Sequence, residues 1–110
     1  MGFITEQMVS DALAYLAIEP HPVAIAKGKL TRCENAKRTF RSKAFLTAQG
    51  SVAERQATSD CDRDYLTACD AEAESVQEYE NARAKINWAN TTIDVWRSQE
   101  ATIRASEKIR

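Results

Sequence analysis

Apolar residues return along most of this chain at spacings of three and four, the pattern of helices that bury one face. Between about residues 22 and 49, two places of a seven-residue repeat hold Val23, Ala26, Leu30, Cys33, Lys37, Phe40, Ala44 and Thr47. From about 62 to 109 the equivalent places hold Tyr65, Ala68, Glu72, Ser75, Tyr79, Ala82, Ile86, Ala89, Ile93, Trp96, Glu100 and Ile103, most regularly after Tyr79. A 3.5-residue repeat winds paired helices into a left-handed supercoil, and alanines on the seam let two backbones come close. A shorter segment, about 5–18, carries Val9, Ala12 and Leu16 in the phase of Val23, Ala26 and Leu30.

Punctuation sets the boundaries. Thr5 suits an N-cap and is followed by acidic Glu6. Pro20 and Pro22 forbid a regular helix through Glu19 and His21, while Pro22 fits the first turn of the next helix. Gly50 is a natural stop, and Ser51 with Glu54 forms a capping box that opens a third helix at about 52–59. Asp60 or Asp62 then caps a last helix over 62–109, roughly 70 Å long. The expected class is all-α, one domain over residues 1–110. Its architecture is a coiled-coil-like antiparallel hairpin with a very long C-terminal helix and a short N-terminal one. The second helix is long enough to cover the last only to about residue 89, so Ile93, Trp96 and Ile103 need another neighbour. The first helix, kinked at the prolines but nearly collinear with the second, is expected to supply it.

Charge supports that hairpin. Lys27, Lys29, Arg32, Lys37, Arg38, Arg41 and Lys43 stand with one acid, Glu34, whereas residues 60–80 hold eight acids and only Arg63 as a base. Folding near residue 55 lays the two stretches side by side and fixes register, each exposed pair contributing ~0.2–1 kcal/mol. The whole chain carries a net charge of −1 with 44% hydrophobic and 28% charged residues, a globular composition, and its three Gly and two Pro leave few turns. No apolar run approaches the ~20 residues that cross a membrane, and no signal peptide is visible, so a cytoplasmic protein is expected. Met8, Val9, Leu13, Tyr15, Leu16 and Ile18 wrap more than one stripe, and Trp88 lies off the seam. Burying that surface predicts a homo-oligomer, a dimer forming a bundle.

Catalytic patterns are missing. There is no phosphate-binding glycine loop, no nucleophile elbow and no histidine pair at metal-ligand spacing, so no cofactor or metal is expected and the chain reads as a non-enzyme. His21 reads as a turn residue or cap. The acids of "DAEAESVQEYE" spread around their helix rather than converging. Cys33, Cys61 and Cys69 read as reduced, because eight residues separate the last two by roughly 12 Å along a helix, with Cys33 and Cys69 as small core residues. Lys27, Lys29, Arg32, Lys37, Arg38, Arg41 and Lys43, with Phe40 and Phe45 nearby, form a candidate nucleic-acid face, and Arg97, Arg104, Lys108 and Arg110 a second cluster. Asp94 to Arg97 and Glu100 to Arg104 have the spacing of intrahelical ion pairs.

The ending "IDVWRSQEATIRASEKIR", with Val95, a Trp96–Arg97 pair and then Ala101, Arg104 and Ala105, resembles small all-helical proteins of temperate bacteriophages encoded among early and recombination genes. "TEQMVSDALAYL" fits the same group. The resemblance covers about the two ends and implies phage origin, action in the host cytoplasm, and a role in DNA metabolism or host takeover. The expected function is that of a helical interaction protein modulating a host or phage protein of nucleic-acid metabolism. Tyr15, Trp88 and Trp96 would serve as anchors among Arg97, Arg104 and Lys108. The alternatives are a DNA- or RNA-binding recombination accessory, an acidic helix that imitates DNA, and a structural or assembly component.

Overall fold

The structure is a computed structural model and describes residues 3–109, the side chain of Ile109 excepted. Helices account for almost all of it: α1 Glu6–Leu16, α2 Pro22–Thr47, α3 Val52–Asp60 and α4 Arg63–Ile109, with no strand among the described residues. The expected all-α class and all four helices are present.

Each start follows from its cap. The Thr5 hydroxyl accepts from the Met8 amide and the Ser51 hydroxyl from the Glu54 amide, so two orphan donors of α1 and α3 are satisfied. Ser51 Oγ also donates to Glu54 Oε1 at 3.1 Å. At α4 the Tyr65 amide donates to Asp62 Oδ2 at 3.0 Å, which selects Asp62 over Asp60 as the cap. Two ends come earlier than expected. α1 closes at Leu16 rather than Ile18, because the Ala17 amide turns back to the carbonyls of Leu13 and Tyr15 ahead of the prolines. α2 closes at Thr47 rather than Gln49, just before Gly50 takes φ +108°.

Contacts divide the chain into two compact units. One joins residues 23–80, that is α2, α3 and the first part of α4. Here Lys29 meets Glu78, Cys33 meets Ser75 and Lys37 meets Glu72, so a step forward on α2 is a step back on α4. That is the antiparallel hairpin. Ala26, Leu30 and Ala68 are buried along it, together with Ser75, whose hydroxyl lies 3.2 Å from Cys33 Sγ. Small side chains on the seam are what let the two backbones approach. α3 adds buried Ser59, whose hydroxyl donates to the Gln56 carbonyl at 2.9 Å. Arg55 lies 4.5 Å above the Phe45 ring and donates to the Phe45 carbonyl, fastening α3 to the end of α2.

The other unit consists of the chain up to Pro22 with α4 from Asn81 onward. Ala12 and Ala89, both fully buried, form its centre with Tyr15, and Leu16, Ile86 and Ile93 pack around them. The far end is clamped by an amide. Ile4 N–H donates to Gln99 Oε1 at 3.0 Å, and Gln99 Nε2 donates to the Ile4 carbonyl at 2.9 Å, a two-bond grip like one rung of a sheet. α1 therefore covers Ile93 as expected, while Ile103 stays 41% exposed beside Phe3.

Candidate interaction site

Seven cations of α2 were candidates for nucleic-acid contact, and the structure spends most of them internally. Lys29 Nζ reaches Glu78 Oε1 at 3.0 Å, Lys37 Nζ reaches Glu72 Oε2 at 2.9 Å, and Arg41 Nη2 reaches Asp60 Oδ1 at 3.0 Å. Lys27 sits 5.1 Å from the centre of the Tyr79 ring. Hydrogen bonding to Glu78, helped by its charge, lifts the Lys29 pKa above the ordinary lysine value, and hydrogen bonding to Glu72 does the same for Lys37. The Tyr65 phenol is raised too, first by its hydrogen bond with Cys69. Arg32, Arg38 and Lys43 remain exposed and make no ion pair among the described residues. They do not form a track. Eleven residues return Lys43 to the stripe of Arg32, but six residues carry Arg38 about 120° away.

The C-terminal cluster differs. Arg97, Arg104 and Lys108 follow one another at seven and four residues, so they share one stripe of α4. Arg97 is three-quarters exposed, and its contact with Asp94 is a long 4.0 Å pair within the same helix. Arg104 and Lys108 are exposed and have no ion pair among the described residues. The expected Glu100–Arg104 pair does not form: half-buried Glu100 sits on the seam, while Arg104 turns to solvent beside it. Trp96, half-buried, and Ile103 border the stripe on its seam side. Arg110 lies outside the described residues.

Two proposed anchors fall elsewhere. Tyr15, expected at the surface, is only 8% exposed. Its hydroxyl donates to the Ala82 carbonyl at 3.4 Å, Lys85 Nζ stands 4.4 Å above its ring, and His21 meets it edge-on at 4.9 Å. It is a core residue because its ring lies across the α1–α4 contact rather than away from it. Trp88 is exposed, at 42%, but stands nine residues before Arg97, two and a half helical turns, and so faces the opposite side of α4. It cannot share a docking patch with Arg97, Arg104 and Lys108.

The cysteines are free thiols, with Cys33 and Cys69 half-buried and Cys61 exposed. Among the described residues no three His, Cys, Asp or Glu side chains gather as metal ligands would, and no helix is long and apolar enough to cross a membrane. The Gln99 clamp was invisible in the sequence, since its partner lies 95 residues away and a glutamine on a helix flank gives no local signal. No family model, curated protein or solved structure matches the chain.

Proposed function

We propose that this chain is a non-enzymatic helical interaction protein, of temperate-phage origin, that binds and modulates a protein of nucleic-acid metabolism. Its docking surface is the stripe Arg97, Arg104 and Lys108 with Trp96 and Ile103 along one edge. The observation that carries this reading is the contrast in neutralisation. Lys29, Lys37 and Arg41 are bound by acids of their own unit and the other α2 cations form no track, whereas Arg104 and Lys108 share one stripe and have no ion pair among the described residues. Unpaired cations beside a partly exposed Trp and Ile are the residue types that dominate protein interfaces, and they call for a partner face that is acidic around an apolar centre.

Capture from host extract tests it. The triple variant Arg97→Ala, Arg104→Ala, Lys108→Ala is expected to lose the proteins retained by wild type. Arg32→Ala, Arg38→Ala, Lys43→Ala is expected to keep them. The reverse pattern moves the site to α2 and overturns the reading.

Nucleic-acid binding is the second reading, and the same three C-terminal cations are what favours it. Three positive charges on one stripe supply about a third to a half of the roughly six to ten phosphate contacts common in such complexes.

A further inference from the structure

Where α2 gives way to α3, Arg41, Ser42, Phe45, Leu46, Gln56 and Ser59 line a cleft of about 440 Å³. That lies within the roughly 300–1,000 Å³ of small-molecule sites, which combine an apolar lining with a few placed polar groups. Helical spacing builds one wall: Phe45 follows Arg41 by four residues and Ser42 by three, and Leu46 follows Ser42 by four. Gln56 and Ser59, three residues apart on α3, build the other. Several contacts fix the shape. Arg55 stands 4.5 Å above the Phe45 ring and donates to the Phe45 carbonyl, while buried Ser59 donates to the Gln56 carbonyl. Leu46, 73% exposed, leaves its side chain open to solvent along the rim.

Hydrogen-bonding capacity along these walls is unspent. Arg41 Nε donates to Asp60 Oδ1 at 3.0 Å, and Nη2 lies 3.0 Å from that same oxygen. The guanidinium is held further over the Tyr65 ring, at 6.0 Å. Its Nη1 donors have no partner among the described residues, nor do the Ser42 hydroxyl and the Gln56 carboxamide. Charge around the cleft is unbalanced as well. With Arg41 and Asp60 offsetting each other, Arg38, Lys43 and Arg55 outnumber Glu54, whose carboxylate is engaged by the Ser51 hydroxyl. Arg38 stands one turn before Ser42 on the same face of α2.

We propose that this cleft binds a small organic carboxylate with an aromatic or branched aliphatic body. The planar fork of a guanidinium matches a carboxylate, so the anion accepts from Arg41 Nη1, with Ser42 and Gln56 as further donors. The apolar body lies along Phe45 and Leu46. An uncharged molecule of the same shape would leave the positive excess uncompensated. The cleft belongs to the unit of residues 23–80, whereas Arg97, Arg104 and Lys108 belong to the other, so this site does not rest on the protein-docking reading.

Amide NMR titration of the full chain with phenylacetate, to about 10 mM, is the test. Saturable shifts confined to residues 41–59 are expected, with a Kd below about 1 mM. Phenylacetamide, which lacks the charge, and acetate, which lacks the body, should each bind at least about tenfold more weakly. Arg41→Met should weaken phenylacetate binding by about tenfold or more, the worth of a charge-assisted hydrogen bond. Leu46→Ser should weaken it roughly fivefold, and circular dichroism should show its helix content unchanged because Leu46 is exposed in the wild type. Asp60→Asn removes the competing acid and should tighten binding by about threefold, which a merely structural role would not do. Arg97→Ala, Arg104→Ala, Lys108→Ala should bind as wild type does. An absence of saturable shifts, shifts centred elsewhere, or indifference to Arg41→Met and Leu46→Ser overturns the proposal. So does equal binding of phenylacetamide, which would make the cleft an apolar notch for a neutral group.

Discussion

Tyr15→Ala is the sharpest perturbation of the α1–α4 unit. A buried aromatic removes roughly 150–250 Å² from water, which at about 25 cal/mol per Å² is about 4–6 kcal/mol. Measured losses for large aromatics replaced by alanine run at about 3–5 kcal/mol. The Lys85 ammonium over the ring adds ~0.5–1 kcal/mol that the variant also forfeits. The rest of the centre is small, Ala12 and Ala89 with Leu16, Ile86 and Ile93 around them, so nothing nearby can fill the space. α1 has 11 residues, fewer than the ~12–15 an isolated helix needs to persist in water. Once its packing is lost it should therefore melt as a unit. Hydrogen exchange followed by mass spectrometry reads this directly. At 1.4 kcal/mol per tenfold, a loss of about 4 kcal/mol speeds exchange in α1 by about a thousandfold. Peptides from residues 23–60 should change far less. Tyr15→Phe separates ring from hydroxyl: the bond to the Ala82 carbonyl is long, 3.4 Å, so this variant should cost about 0.5 kcal/mol or less. If Tyr15→Ala leaves α1 protected within threefold of wild type, the reading of Tyr15 as the centre of this unit is wrong.

Other perturbations address the hairpin unit and its turn. Gly50→Ala should destabilise by about 1–2 kcal/mol in urea melts, because φ is +108° and an added Cβ would lie 2.6 Å from Glu54 Oε2. Ser51→Ala removes the α3 cap and should cost about 1 kcal/mol by the same assay. An unchanged midpoint in either would contradict the turn geometry. Ser75→Leu should overpack the Cys33 contact and cost ~1–3 kcal/mol, whereas Val76→Leu, on an exposed neighbour, should be nearly silent. Lys29 and Lys37 have folded pKa values raised above 10.5 by Glu78 and Glu72. Their contribution is therefore complete below the unfolded lysine pKa and fades as pH rises through the raised folded values. Thermal melts from pH 8 to 11.5 should lose stability above about 10.5 in wild type. In Lys29→Met, Lys37→Met the decline should be shallower, and identical slopes would dismiss both pairs.

How far these features were legible in the sequence depended on whether the signal was local. The seam residues Ala26, Leu30, Ala68, Ser75 and Ala89 are buried where the heptad phase put them, and Asp62 and Ser51 cap where short-range hydrogen bonding favours them. Opposite charge on α2 and α4 foretold their antiparallel pairing, which Lys29–Glu78 and Lys37–Glu72 realise. Positions on the flank of a seam were harder. Tyr15 is one residue off the ideal phase, and only the reach of its ring, with Lys85 and His21 against it, decides that it is buried. Trp88 and Arg97 look close in the chain, yet nine residues of helix turn them apart. The Ile4–Gln99 clamp depends on a contact between distant residues, for which the sequence carries no pattern.

A binding titration with fluorescent single- and double-stranded DNA and RNA, at 50 mM and 200 mM salt, tests the central claim most directly. That claim is that Lys29, Lys37 and Arg41 of α2 are held by the protein's own acids while its remaining cations form no track, and that the open cations of α4 serve a protein partner. No saturable binding below micromolar protein at 200 mM salt is the expected result. Tight binding that falls steeply with salt and disappears with Arg97→Ala, Arg104→Ala, Lys108→Ala would contradict it and make nucleic acid the ligand of that stripe.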